Sequence, residues 1–375
     1  MFDGTRLQLM IGPAPAPLPA PLPVIEALEN ITVKHGDGRN GFTLTLAMGK
    51  ASPLQLAMLP AGYFDPISTR VVITVVHRGL PQVLIDGIVT QQSLQPSSEP
   101  GKSKLTLTGE DLSLLMDLVR IRIPWPAMPD AVRVAAILAK YAAFGVVPMV
   151  VPPPVSNVES PTSHIAIQDS TDYDYLKSLA GQSGYVFYLD PGPVPTQSIA
   201  YFGPAHRLPI LQPALNINMD ADTNVESLSF TLDGRAKQLT IMRILDPVTE
   251  KITMTIPVPP INPLHPPLGL RPTPPARIVF TEDAARLSAS EAAKRAFALM
   301  RQSRDAITVS GSLSVGSYGS VLRAGRMVGV RGAGLAYDGA YYVETVTHNI
   351  KPGEYKQSFT LARDGLISAT PAVPT

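Results

Sequence analysis

Asp172-Tyr-Asp-Tyr-Leu-Lys-Ser-Leu-Ala-Gly-Gln-Ser-Gly-Tyr-Val-Phe-Tyr-Leu189 reads as a capped helix that runs straight into a strand. Thr171 and Asp174 have capping-box spacing, which places the helix start. Tyr173, Leu176 and Leu179 then recur at helical intervals, and Gly184 supplies a stop that tolerates left-handed backbone. Tyr185 to Leu189 follows as an aromatic strand. Upstream, Asp130 is expected to cap a second helix carrying Val134, Ile137, Leu138 and Tyr141 on one side. Together these make residues 119–215 an α+β middle section.

Outward from this section the period changes from helical to alternating. In residues 24–118, Phe42, Leu44 and Leu46 alternate with threonines, the pattern of a strand with one face in the core. Arg70 to His77, Val83 to Thr90 and Lys104 to Thr108 add three strands, with a turn at Glu99-Pro-Gly-Lys102. In residues 281–375, Thr281 is expected to cap a helix whose small-residue face includes Ala285, Ala289, Ala292 and Ala296. Ile307, Val309, Leu313 and Val315 then alternate. Val328 and Val330 lead to Asp338-Gly339, read as a hairpin turn. Tyr341 to His348 and Tyr355 to Leu361 close the set, joined near Pro352-Gly353. The fold class expected is α+β, predominantly β, with two small β-barrel modules at the ends of the chain.

Proline accounts for 39 of 375 residues and is clustered. Residues 1–23 read as a proline-rich arm, and residues 216–280 as a strand pair, with a turn over Asp246 to Glu250, followed by a proline-rich connector. Proline lacks the amide that a ladder needs, so such runs favour extended connectors.

Composition narrows the function. Lys plus Arg number 31 and Asp plus Glu number 30, a balance that leaves few uncompensated cations for nucleic acid. Cysteine is absent, which removes disulfides, thiolate metal sites and thiol catalysis. No apolar run reaches the length of a membrane span, and residues 1–7 lack the layout of a signal peptide. Assembly in a bacterial cytoplasm is therefore expected. The six histidines show no metal-ligand spacing among themselves. No Gly-x-Ser-x-Gly elbow or phosphate-binding loop is present. Glu110, Asp111 and Asp117 could be imagined as paired carboxylates for sugar hydrolysis, but acids at a helix start are ordinary.

The Asp172–Leu189 stretch resembles a signature of phage late-control protein D and of the hub portion of VgrG-type spike proteins. The matching positions are Asp174, Tyr175, Leu176, Leu179, Gly184, Tyr185 and Phe187. The ending is similar too, through Gly325 to Val330, Tyr337 to Val343 with Asp338, Gly339, Tyr342 and Val343, then Val346 to His348 and Tyr355 to Phe359. At the front, Gly87 to Val89 and Leu105 to Asp111 fit the family's first barrel. The resemblance runs in the family's order over roughly residues 24–365. The sequence ends without a glycine-valine repeat, so the spike is expected to be a separate protein.

What the resemblance implies is a structural baseplate hub of a contractile injection system or phage tail. It implies a homotrimer in which two barrels per subunit form a pseudo-hexameric ring. That ring would join a hexameric inner tube to a trimeric spike protein, alongside other baseplate proteins. It implies no enzyme activity, no cofactor, and no catalytic or metal residues. Two other readings stand beside it: a carbohydrate-binding adhesin or tail-fibre module, and a tail-associated cell-wall hydrolase.

Overall fold

The computed structural model describes residues 4–36, 38–99, 101–153, 165–204, 208–245, 252–258, 267–281, 296, 299–300 and 305–369. The front of the chain contributes β1 (Thr5–Pro13), β2 (Leu18–Pro19), α1 (Leu22–Glu26), β3 (Leu28–His35), β4 (Gly41–Met48), β5 (Thr69–His77), β6 (Leu80–Gln95) and β7 (Ser103–Asp111). The middle contributes β8 (Arg120–Trp125), α2 (Asp130–Ala139), β9 (Val146–Val150), β10 (Ala166–Thr171), α3 (Asp172–Gln182), β11 (Val186–Pro191) and β12 (Ser198–Gly203). The rear contributes β13 (Leu208–Asn216), β14 (Ser227–Leu232), β15 (Gln238–Leu245), β16 (Ile252–Val258), β17 (Gly269–Pro272), β18 (Arg277–Thr281) and β19 (Ile307–Ser314). A one-turn helix, α4 (Val315–Tyr318), precedes β20 (Arg326–Arg331), β21 (Gly339–Lys351), β22 (Glu354–Arg363) and β23 (Gly365–Ser368). Among the described residues strands far outnumber helices, so the fold is α+β and predominantly β.

Thirteen strands share one sheet, ordered β14-β19-β22-β21-β3-β4-β7-β6-β5-β1-β2, with β13 and β20 branching from β21. The strands expected to form two barrels therefore meet in a single sheet, and no closed barrel is present among the described residues. The join is the antiparallel ladder of β3 with β21, from Ile31↔Ile350 to His35↔Val346. The alternation of β4 behaves as its sequence dictates: Phe42, Leu44, Leu46 and Met48 are buried, and the residues between them are half-buried. β5 is buried along nearly its whole length, with Val71, Ile73 and Val75 in the core and Arg70 bonded to the Thr196 carbonyl of the middle section.

Residues 5–13 form a full strand, paired with β5 from Thr5↔His77 to Pro13↔Thr69. Leu9 and Ile11 face the core, and no proline precedes Pro13, so no ladder amide is missing before the strand ends. The proline run then turns through β2 and the short helix α1. Leu228, Phe230 and Leu232 lie in β14, which pairs with β19; the strand that pairs with β16 is β15. The expected turn over residues 246–250 lies outside the described residues. So does most of the expected helix after Thr281. Its described residues Ala296, Leu299 and Met300 pack on Met242 and Val258. The proline tract is structured in part: Gly269 to Pro272 pair with β23.

One hydrophobic core runs through front and rear strands, joining Ile31, Val33, Leu44 and Val71 to Val309, Val346, Ile350 and Leu361. A second core belongs to the middle section, where Val134, Ile137, Leu138, Leu176, Leu179 and Phe187 pack with Ile88, Leu112 and Met116 of the front. Burying each of these large side chains contributes about 1.5–3 kcal/mol.

Candidate functional site

Thr171 caps α3, its hydroxyl accepting from the Asp174 amide at 3.2 Å. Asp174 itself is exposed at the first turn. The acid that organises this region is Asp172, missed by the sequence reading. It is 4% exposed and accepts from Gln168 Nε2 at 2.7 Å, Tyr141 Oη at 2.8 Å and Lys140 Nζ at 3.0 Å. Its place in the first turn was visible; its partners, drawn from β10 and from the end of α2, were not. Leu176 and Leu179 are buried, and Gly184 adopts φ +66°. Tyr185 donates to the Pro152 carbonyl at 3.2 Å, and Phe187 meets Tyr173 edge-on. The Tyr175 hydroxyl accepts from Arg133 at 2.9 Å. Asp130 is the first residue of α2 rather than its cap, which is Pro129; its carboxylate instead pairs with Arg133 at 2.7 Å.

Three polar seams bolt the middle section to the front sheet. Arg39 bridges Glu110 and Asp117 and stacks on the Tyr173 ring at 4.2 Å. Asp117 also accepts from Thr171 Oγ1 at 2.7 Å. The Arg39 hydrogen bond is the largest influence on Asp117 and holds its carboxyl below the usual range. At the second seam, Asp111 accepts from the Asn40 and Ser113 amides, and Asn40 donates to the Leu189 carbonyl at 3.0 Å. Burial pushes Asp111 up against those bonds. The third is the ion pair of Arg70 with Asp86, fully enclosed at 1% exposure of each side chain. Arg70 also donates to the carbonyls of Ala14 and Thr196. Glu110, Asp111 and Asp117, the carboxylates weighed for hydrolysis, are each engaged in one of these seams.

The rear residues singled out by sequence gather around the loop before β21. Asp338-Gly339 is not a two-residue turn. The connection spans residues 332–338, and Gly339 is already the first residue of β21, paired with Val330. Asp338 Oδ1 accepts from the Ala333 amide at 2.8 Å, tying the loop across its base. Gly339 is still required, with φ +120° and a position where a Cβ would lie 2.1 Å from Ser368 Cβ. Arg363, fully buried, donates to the carbonyls of Asp338 and Ala336 and stacks on Tyr341 at 4.3 Å. Gly325 has φ +78° and its amide donates to the Val343 carbonyl at 2.9 Å. Val343 is buried and Tyr342 half-buried. The middle and rear groups of sequence-chosen residues are thus not brought into one site.

What the structure does bring together are His35 and His348, 313 positions apart in sequence. Their rings meet edge-on with centroids 5.4 Å apart at the β3–β21 join. His348 Nδ1 lies 2.8 Å from Tyr355 Oη and 3.2 Å from Gln357 Nε2. His77 is buried with Nδ1 2.8 Å from Thr5 Oγ1. His164, His206 and His265 lie outside the described residues. Among the described residues, no cluster of three His, Cys, Asp or Glu side chains could hold a metal ion, and no helix is long and apolar enough to cross a membrane.

Three surface features stand apart from these contacts. β14 ends the sheet, and among the described residues nothing pairs with its outer edge. The opposite end is closed by β2 and α1, where Leu18, Leu22 and Ile25 are exposed. A third apolar set sits on the braced rear loop. Leu335 is 91% exposed, and Leu270 and Ile367 lie opposite each other across β17 and β23, both exposed.

No protein-family model matches the chain, and no curated protein matches it. Solved structures do. A tail protein from Neisseria meningitidis matches with a TM-score of 0.62 at 14% identity, over 97% of this chain and 98% of the other. A 43 kDa tail protein of prophage MuSo2 from Shewanella oneidensis matches with a TM-score of 0.62 at 14% identity, over 96% and 100%. A chain of the Francisella PdpA-VgrG complex matches with a TM-score of 0.59 at 8% identity, over all of this chain and 55% of that one. These likenesses establish a shared fold along nearly the whole chain.

Proposed function

We propose that this chain is a structural hub subunit at the tip of a phage tail or contractile injection system, without catalytic activity. The observation that carries the reading is end-to-end similarity of fold to tail proteins, 97% of this chain against 98% of one of them. A partial match would be compatible with a shared module; a match along nearly the whole length of both chains favours a shared role. In this reading the front and rear strand sets act as two related units of one ring. Three copies would then present six similar units to a hexameric tube and threefold symmetry to a separate spike protein. The two ends of the large sheet are unlike, one bearing the β14 edge, unpaired among the described residues, and the other the β2–α1 apolar cluster. Unlike ends are compatible with head-to-tail contacts, which form a ring when the rotation between subunits closes. The engagement of Glu110, Asp111 and Asp117 in structural contacts argues against cell-wall hydrolysis.

Light scattering of the purified protein, alone and mixed with tube and spike proteins, tests the proposal. The expected mass is three times the 40.0 kDa subunit, with a three-lobed ring in averaged micrographs. A monomer that joins neither tube nor spike defeats it.

A further inference from the structure

The ladder of β3 with β21 is the only strand pairing that joins the front strands to the rear strands among the described residues. His35 stands at its end, opposite Val346, and His348 at its middle, opposite Val33, with their rings edge-on at 5.4 Å. We propose that this histidine pair is an acid-released lock on the join between the front and rear halves of the sheet.

Geometry fixes the state in which the lock holds. The Gln357 side chain is clamped by Leu322, accepting from its amide and donating to its carbonyl, both at 2.9 Å. That clamp decides which end of the amide is which, so the Gln357 N–H group is the one that faces His348 Nδ1 at 3.2 Å. A donor pointed at Nδ1 requires a lone pair there. Tyr355 Oη, at 2.8 Å, can donate to the same nitrogen. Protonation at Nδ1 would set two N–H groups against each other in a site where His348 is 2% exposed.

Apart from the Tyr355 hydroxyl, which can accept as well as donate, the charged surroundings disfavour a second proton. Arg323 is the charged side chain that acts on both rings, and it repels an imidazolium at either. Its own hydrogen bond goes to Gln82 Oε1 at 3.4 Å. The carboxylate nearest in effect is Asp190, which acts on Arg323 together with Arg326 rather than on either histidine. From β6, the Leu84 backbone bonds His35, and so does the Asn40 side chain, both favouring charge weakly. Desolvation outweighs them and holds the half-buried His35 down to about 4 from an ordinary 6.5. Burial likewise holds His348 well below its ordinary value.

The sign follows. An unfolded or opened junction takes up protons from about pH 6.5 downward, whereas the closed junction resists them until about pH 4. Acid therefore favours the opened form, and stability at the join is lost as pH falls through that window.

Hydrogen exchange on the full-length protein tests this. Between about pH 7 and pH 4.5, amides of Ile31 to His35 and Val346 to Ile350 are expected to lose about tenfold more protection than those of β5 and β6. His35→Phe keeps an edge-on ring that cannot charge, and it should cut that extra loss to about threefold or less. Equal loss in both ladders, or an undiminished acid effect in a folded His35→Phe protein, overturns the proposal. Should that variant not fold, imidazole resonances of the native protein decide. Two rings titrating at least about 1.5 units below the ordinary value support the lock, and all rings titrating near that value defeat it.

Discussion

Arg70 and Asp86 sit in paired strands with 1% of each side chain exposed, and Arg70 also holds the carbonyls of Ala14 and Thr196. Removing either partner leaves the other charge buried without compensation. Asp86→Ala should therefore lower stability by roughly 3–5 kcal/mol, measured by urea denaturation. A loss near zero would mean that water reaches Arg70 in the folded protein. Gly339→Val is expected to cost about 2–4 kcal/mol, because the new Cβ would overlap Ser368. Ser368→Gly in the same chain should recover part of that cost; no recovery would place the whole effect in the backbone conformation at φ +120°. The need for glycine at 339 was legible in the Asp-Gly pair, but the reason was not. A two-residue turn was the local reading, whereas the actual constraint comes from β23, almost thirty residues later. Asp172 carries the same lesson. Its type and position were in plain view, and its partners Lys140, Tyr141 and Gln168 belong to other elements.

At the scale of elements, α3 is the best-read part of the chain. Cap, apolar spacing and glycine stop lie within fourteen residues, so local chemistry alone determines them. Thr171→Ala removes the cap to Asp174 and the bond to Asp117. The expected loss is about 2 kcal/mol, the sum of one cap and one part-buried hydrogen bond. Thr171→Ser keeps both bonds and should stay within about 0.5 kcal/mol of the native protein. If Ala and Ser behave alike in denaturant, the hydroxyl does not hold α3. β1 shows the opposite case. Leu7, Leu9 and Ile11 alternate before the first proline of the run, yet the prolines dominate the composition of that stretch. Its partner β5 is some sixty residues away, and only that pairing distinguishes a strand from an extended arm.

At the scale of the molecule, the strand-rich ends were legible as strands, and their union was not. Nothing in alternation reports that β3 and β21, separated by more than three hundred positions, will find each other. The energetic consequence is that Ile31 and Val33 are fully buried in the same core as Val346, Ile350 and Leu361. Separating the halves would expose all of them and leave two bare strand edges. Front and rear should therefore unfold together at neutral pH. Calorimetry is expected to give one transition for this unit, with calorimetric and van't Hoff enthalpies in agreement. A fragment ending at residue 204 should be poorly soluble, since it keeps β3 without its partner. Two resolved transitions, with amides of β4 and β7 still protected after those of β22 have exchanged, would show that the halves are independent and that the shared core does not couple them.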